Sequence, residues 1–180
     1  MLSKRDDEMK INTSNLKECA KDLHAGDTVL LSGTVYTARD AAHAKILEAL
    51  KSGRELPFDI DGAVIYYAGP TPAKDGMPIG SCGPTTSSRM DKFTPTLLDN
   101  GLCAMIGKGK RDEAVIEAIK RNGAIYFCAV GGAGAIVAKC VKSADVIAYP
   151  ELGCEAVRKL EIEDLPLIVG IDSYGNNALR

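Results

Sequence analysis

Apolar residues follow two alternating rhythms along this chain: short β-branched and leucine-rich runs, and stretches where they recur every third or fourth position. The runs at 28–31, 63–68, 102–106, 124–130, 146–149, 157–162 and 165–171 predict strands. The first of them ends at Ser32-Gly33, which reads as a turn. Helical spacing predicts a weak amphipathic piece over 16–23 and a helix carrying Ala42, Ile46, Leu47 and Leu50 that Gly53 stops. Further helices are predicted over 94–100, 112–121 and 135–142. Thr37, three residues before Asp40, has the form of a capping box with Asp standing in for Glu. Strands and helices interleave without an internal repeat, so the expected fold class is α/β, a single domain on a mixed sheet.

Length and composition narrow the picture. The chain has 180 residues, enough for one domain with a real hydrophobic core, and 46% apolar with 26% charged residues matches ordinary globular composition. A formal charge of −2 and few aromatics give no global reason to bind nucleic acid or anionic lipid, so any anion site must be local. The opening residues 1–9 read as a variable polar leader without the apolar segment of a secretory signal. No run is long enough to span a bilayer, and a cytoplasmic setting is expected. Six cysteines are scattered without a C-x-x-C pair and only two histidines accompany them, so no metal-ligand pattern is expected from this chain and its thiols are expected to be free.

The residues best suited to chemistry lie in loops. G-P-T-T-S-S-R-M-D, 83–91, sets four hydroxyls (Thr85, Thr86, Ser87, Ser88) beside the guanidinium of Arg89 with almost nothing apolar to bury. Such a segment makes poor core. It suits an oxygen-rich anion, since hydroxyls and backbone N–H groups donate and Arg offers a planar fork. It could equally be a polar surface turn capping a helix. Arg39 opens a helix, where the dipole disfavours a cation, so a structural role explains it badly. His43 follows one turn later, while Asp40 reads as a cap. Lys108 is bracketed by glycines at a strand end, either a bare turn lysine or a residue exposed for a ligand. The G-G-A-G at 131–134 lacks the complete G-x-G-x-x-G, so tight strand-to-helix packing explains it better than nucleotide binding. Arg39, Arg89 and Lys108 each follow a β element, where α/β sheets place ligand groups, and together they would suit a small dicarboxylate.

Read together, G-T-V-Y-T-A-R-D-A-A-H, I-Y-Y-A-G-P, G-P-T-T-S-S-R-M-D, I-G-K-G, E-L-G-C-E-A-V and I-D-S-Y-G-N resemble the beta subunit, or C-terminal domain, of class I iron-sulfur fumarate hydratase and of the related L(+)-tartrate dehydratase. The resemblance covers 10–180. It implies a swivelling β/β/α domain that works with an alpha subunit carrying a [4Fe-4S] cluster on three cysteines, in a hetero-oligomer of alpha and beta chains. On that resemblance Arg39, Arg89 and Lys108 clamp substrate carboxylates, and Thr86, Ser87 and Ser88 complete the binding loop. Thr85 transfers a proton with an acid of the partner, and His43 matches a histidine assigned to the site in the tartrate branch. The implied activity is hydration of fumarate to (S)-malate, with tartrate dehydration as the alternative. A dicarboxylate-binding module without catalysis, or a thiol redox protein, are the readings from other classes.

Overall fold

The structure, a computed structural model, describes residues 9–129 and 134–179. The leader up to residue 8 and residues 130–133, which carry most of the G-G-A-G segment, lie outside them. In chain order the strands are β1 (Met9–Asn12), β2 (Thr28–Thr37), β3 (Val64–Tyr66), β4 (Ala104–Gly107), β5 (Ile125–Ala129), β6 (Val141–Ala148) and β7 (Val157–Ile171). Between them fall α1 (Leu16–Cys19), α2 (Asp40–Lys51), α3 (Thr94–Asp99), α4 (Glu113–Asn122) and α5 (Gly134–Cys140). The α/β class with a mixed sheet is therefore as expected.

Strands β1 to β5 pair in parallel, and β7 runs antiparallel to β2 and to β5. Because β2 pairs β3, β3 pairs β4, β4 pairs β5, β5 pairs β7 and β7 pairs β2 again, the ladder closes on itself. β1 is appended to β2, and β6 to β7. The two-residue alternation of strand side chains sorts the interior into two cores. Val64, Tyr66, Ala104, Ile106, Ile125 and Phe127 join Val35, Leu167 and Val169 in one. Ile65, Tyr67, Met105 and Tyr126 point the other way, beneath Ile46 of α2, Leu97 of α3, and Val115 and Ile119 of α4. A parallel strand buried on both faces needs a near-continuous apolar run, which is why these segments were readable as strands.

Four expectations are corrected. Ser32-Gly33 is no turn, for β2 continues to Thr37. Leu31 pairs Leu165 and Gly33 pairs Ile162, so Glu163 and Asp164 together face Ser32 across a bulge. Gly33 (φ 109°) and Asp164 (φ 50°) both adopt the left-handed backbone that this bulge requires. For the same reason the two strands predicted over 157–162 and 165–171 are one, β7, with the break in pattern marking the bulge. The last predicted helix stops at Cys140, and Val141 already begins β6. Finally, Thr37 is no helix cap: its hydroxyl accepts from the Arg158 N–H at 3.0 Å and lies 3.3 Å from the Ala156 carbonyl, stitching the end of β2 to the start of β7. Arg39 is the N-cap residue, with an extended backbone and no side-chain cap bond.

Candidate functional site

The parallel strands β2, β3 and β4 all end on the same rim of the sheet, and each releases a segment the sequence had marked. β2 leads to Arg39 and Asp40, β3 to Tyr67-Ala68-Gly69, and β4 to Lys108. The hydroxyl segment is laid across this rim by backbone pairing. Pro84 bridges Ala68, the Thr85 N–H donates to the Tyr67 carbonyl at 2.7 Å, and Thr86 bridges Lys108. The Ser87 N–H then donates to the Lys108 carbonyl, and the Lys108 N–H to Ser87 Oγ, both at 3.0 Å. Only glycine fits at position 107, because a Cβ there would run into Ser87 Oγ and come within 2.9 Å of Tyr67 Cδ2. Gly69 has a similar use. A Cβ at Gly69 would stand 2.9 Å from Arg39 Nη1 and 3.1 Å from the Cys154 carbonyl, so the guanidinium of Arg39 lies over bare backbone.

The eight residues singled out from the sequence divide into those that face out and those that do not. Arg89 is half-exposed, and its Nε and Nη2 donate to Oδ1 and Oδ2 of Asp40 at 3.1 and 2.6 Å. Its Nη1 lies 3.4 Å from Thr85 Oγ1. A guanidinium only donates, so the Thr85 hydroxyl must accept there, and its own proton stays free for another acceptor. Thr86, Ser88 and the ammonium of Lys108 are exposed, while Arg39 and Thr85 are half-buried. Neither Arg39 nor Lys108 has a carboxylate within ion-pairing distance among the described residues.

Ser87 and His43 are turned inward. Ser87 is fully buried, its Oγ 2.8 Å from the Tyr126 hydroxyl, so its oxygen fastens the loop to the sheet and is not presented to a ligand. His43 is also fully buried, packed against the rings of Tyr67 and Phe93. Its Nδ1 sits 2.8 Å from the Arg39 carbonyl, which the His43 backbone N–H also reaches at 2.8 Å. Burial pushes its pKa down to about 4, so the ring is neutral near pH 7. Its Nε2 has no partner among the described residues.

Sequence reading missed the support beneath the loop. Asp91 and Arg111 form a buried ion pair, Nε to Oδ1 at 2.6 Å, with the Arg111 side chain fully enclosed. Arg111 Nη2 also reaches Thr94 Oγ1 at 2.8 Å and the Tyr67 hydroxyl at 3.2 Å, and its guanidinium packs on the rings of Tyr67 and Tyr126. The other Asp91 oxygen accepts from the Asp112 N–H at 2.8 Å, at the start of α4. Only an unusual signal pointed there, a motif ending in an acid with an arginine in the polar stretch after Lys108.

The six cysteines are free thiols, and among the described residues no three of Cys, His, Asp and Glu come together as a metal site. Burial raises the Cys82 and Cys103 thiols to about 12 and about 11, which makes both poor thiolates. The donor set of the described residues therefore does not fit an iron-sulfur cluster. No helix among the described residues is long and apolar enough to cross a membrane.

Comparison with known proteins identifies the family. The family model described as "Fumarase C-terminus" matches residues 2–180. The chain is 42% identical over 149 residues to "Fumarate hydratase class I, anaerobic" of Escherichia coli (strain K12), covering 82% of this chain and 27% of that protein. It is also 42% identical over 154 residues to "Fumarate hydratase 2" of Leishmania major, with 84% of this chain and 27% of that protein covered. A third relative, "Putative L(+)-tartrate dehydratase subunit beta" of Methanocaldococcus jannaschii, is 42% identical over 167 residues, covering 89% of this chain and 86% of that protein. The chain thus spans about a quarter of the length of these fumarate hydratases. With the family model matched over nearly the whole sequence, the chain belongs to the Fumarase C-terminus family.

Proposed function

We propose that this chain is the beta subunit of a heteromeric hydro-lyase that reversibly hydrates fumarate to (S)-malate. The observation carrying this reading is the gathering of Arg39, Arg89 and Lys108 around one hydroxyl loop at the shared strand-end rim, two of them without carboxylate partners among the described residues. Adding water across a carbon–carbon double bond conjugated to a carboxylate builds negative charge on that carboxylate. Oriented cations and N–H or O–H donors stabilise such charge best when bulk water is excluded. In this reading Arg39, Arg89 and Lys108 hold the two carboxylates, and Thr86 and Ser88 add hydroxyl donors. Ser87 acts from below by fixing the loop, and buried, neutral His43 acts by holding the Arg39 carbonyl. Thr85, whose hydroxyl accepts from Arg89 and keeps its own proton free, would exchange that proton with an acid on a partner chain. A [4Fe-4S] cluster would supply a Lewis acid from an alpha subunit, since the described residues of this chain offer no ligand set for it.

The M. jannaschii relative is named for tartrate dehydratase and matches this chain over 86% of its own length, which favours L(+)-tartrate dehydration to oxaloacetate as the second reading. One experiment separates the two. Purified beta chain is mixed anaerobically with a cluster-bearing alpha chain, and loss of fumarate absorbance is followed beside oxaloacetate formation from tartrate. Fumarate hydration that needs both chains supports the first reading; tartrate turnover without it supports the second. Tight dicarboxylate binding by the beta chain alone, with no turnover of either diacid in the mixture, would show a binding module and end both.

A further inference from the structure

None of the roles proposed for the site residues accounts for the pairing of Arg89 with Asp40. A guanidinium presents its N–H groups along distinct edges, and Asp40 takes the side edge, one oxygen on Nε and one on Nη2. A two-point contact of this kind fixes both the plane of the group and its rotation about the side chain. The end edge, made of Nη1 and the second hydrogen of Nη2, stays open, with Nη1 beside Thr85 Oγ1 at 3.4 Å. Asp40 is joined by a peptide bond to Arg39, whose own guanidinium lies over Gly69.

We propose that Asp40 is a positioning residue: by clasping the side edge of Arg89 it aims the end edge, next to Thr85, at a substrate carboxylate, at a spacing from Arg39 set by their adjacency in the chain. Sequence position alone makes Asp40 a helix cap, yet the N-cap residue is Arg39, and Asp40, the first residue of α2, turns both carboxylate oxygens to Arg89. The clasp restricts a long side chain before any ligand arrives, so less freedom is lost on binding. Its charge acts the other way, since a carboxylate near the site repels an anionic ligand. Three cations less one carboxylate still leave two positive charges, matching a dicarboxylate. The geometry favours the clasp, because the repelling charge is spent on the guanidinium edge that points away from Thr85.

This inference rests on the hydro-lyase reading, and its test is chosen to separate the two. In the assembled alpha–beta enzyme, Asp40→Ala should raise KM for fumarate about tenfold with unfolding temperature nearly unchanged. Asp40→Asn, which keeps one acceptor, should fall between. In an Arg89→Ala background, Asp40→Ala should add nothing, because it acts through Arg89. Unchanged or lower KM in Asp40→Ala, or equal effects with and without Arg89, would overturn the proposal. The second readout needs no activity: the Arg89 Nε resonance of the beta chain, followed by NMR, should shift in Asp40→Ala as its N–H loses the carboxylate acceptor. If the wild-type enzyme turns over neither fumarate nor tartrate, the hydro-lyase reading fails by itself. An Arg89 resonance that Asp40→Ala leaves unmoved then overturns the clasp as well.

Discussion

Thr85 and His43 were both candidates for catalysis, and their surroundings part them. The Thr85 hydroxyl is half-exposed beside a cation, with its proton free, so on the proposed hydro-lyase reading Thr85→Ala is expected to lower kcat at least tenfold while KM changes little. Steady-state kinetics on fumarate check this, and a KM effect with normal kcat would make Thr85 a binding hydroxyl only. His43 is sealed under Tyr67 and Phe93, with a pKa of about 4 against about 6.5 for a free imidazole. A depressed value means the unfolded state binds the proton more readily, so the stabilisation is present above about pH 6.5 and is lost as pH falls through about 4. The full difference is about 3 kcal/mol. Denaturant unfolding at pH 7 and pH 4 should therefore show a steeper loss in wild type than in His43→Gln, and parallel losses would contradict a buried neutral ring.

At the scale of elements, the loop of 83–91 is held by what lies below it. Ser87, Tyr126, Asp91, Arg111 and Thr94 tie it to β4, β5, α3 and α4 through buried polar contacts. Removing one member of the Asp91–Arg111 pair strands a charge in the interior, so Arg111→Met is expected to cost about 3–5 kcal/mol. The double variant Asp91→Leu with Arg111→Met should recover part of that loss, and guanidinium denaturation of both variants measures it. A double variant no more stable than either single one would mean that the pair organises the loop in ways apolar packing cannot replace. Sequence reading identified the motif but not these supports, because no local spacing or motif marks Arg111 as buried, and its partner Asp91 lies 20 positions earlier. The helices and most strands were legible because apolar spacing reports local geometry. The bulge in β2 and β7 was not, since Ser32-Gly33 and Asp164 look like turns to anything that sees only neighbours along the chain.

For the whole molecule, closure of the β2–β3–β4–β5–β7 ladder should decide which parts open last. Strands inside the ring lose their partners only when the core opens, whereas β1 and β6 can peel from one neighbour each. Amide exchange of the isolated chain is expected to be slowest in β3, β4 and β5 and markedly faster in β6, whose exposed Val146 and Ile147 bury little. Protection in β6 equal to that in β4 would show that the ring is not the cooperative unit. By itself the sequence determined the α/β class, the order of most elements, the hydroxyl-arginine loop and its kinship with the fumarase C-terminus, because all of these are written in spacing and motif. Only the tertiary structure decided that Asp40 grips Arg89, 49 residues away, that Ser87 and His43 face inward, and that the last two predicted strands are one. Those outcomes depend on which distant segments share the strand-end rim. Side-chain direction and pairing are settled by packing across the fold, where neighbours in sequence carry no information.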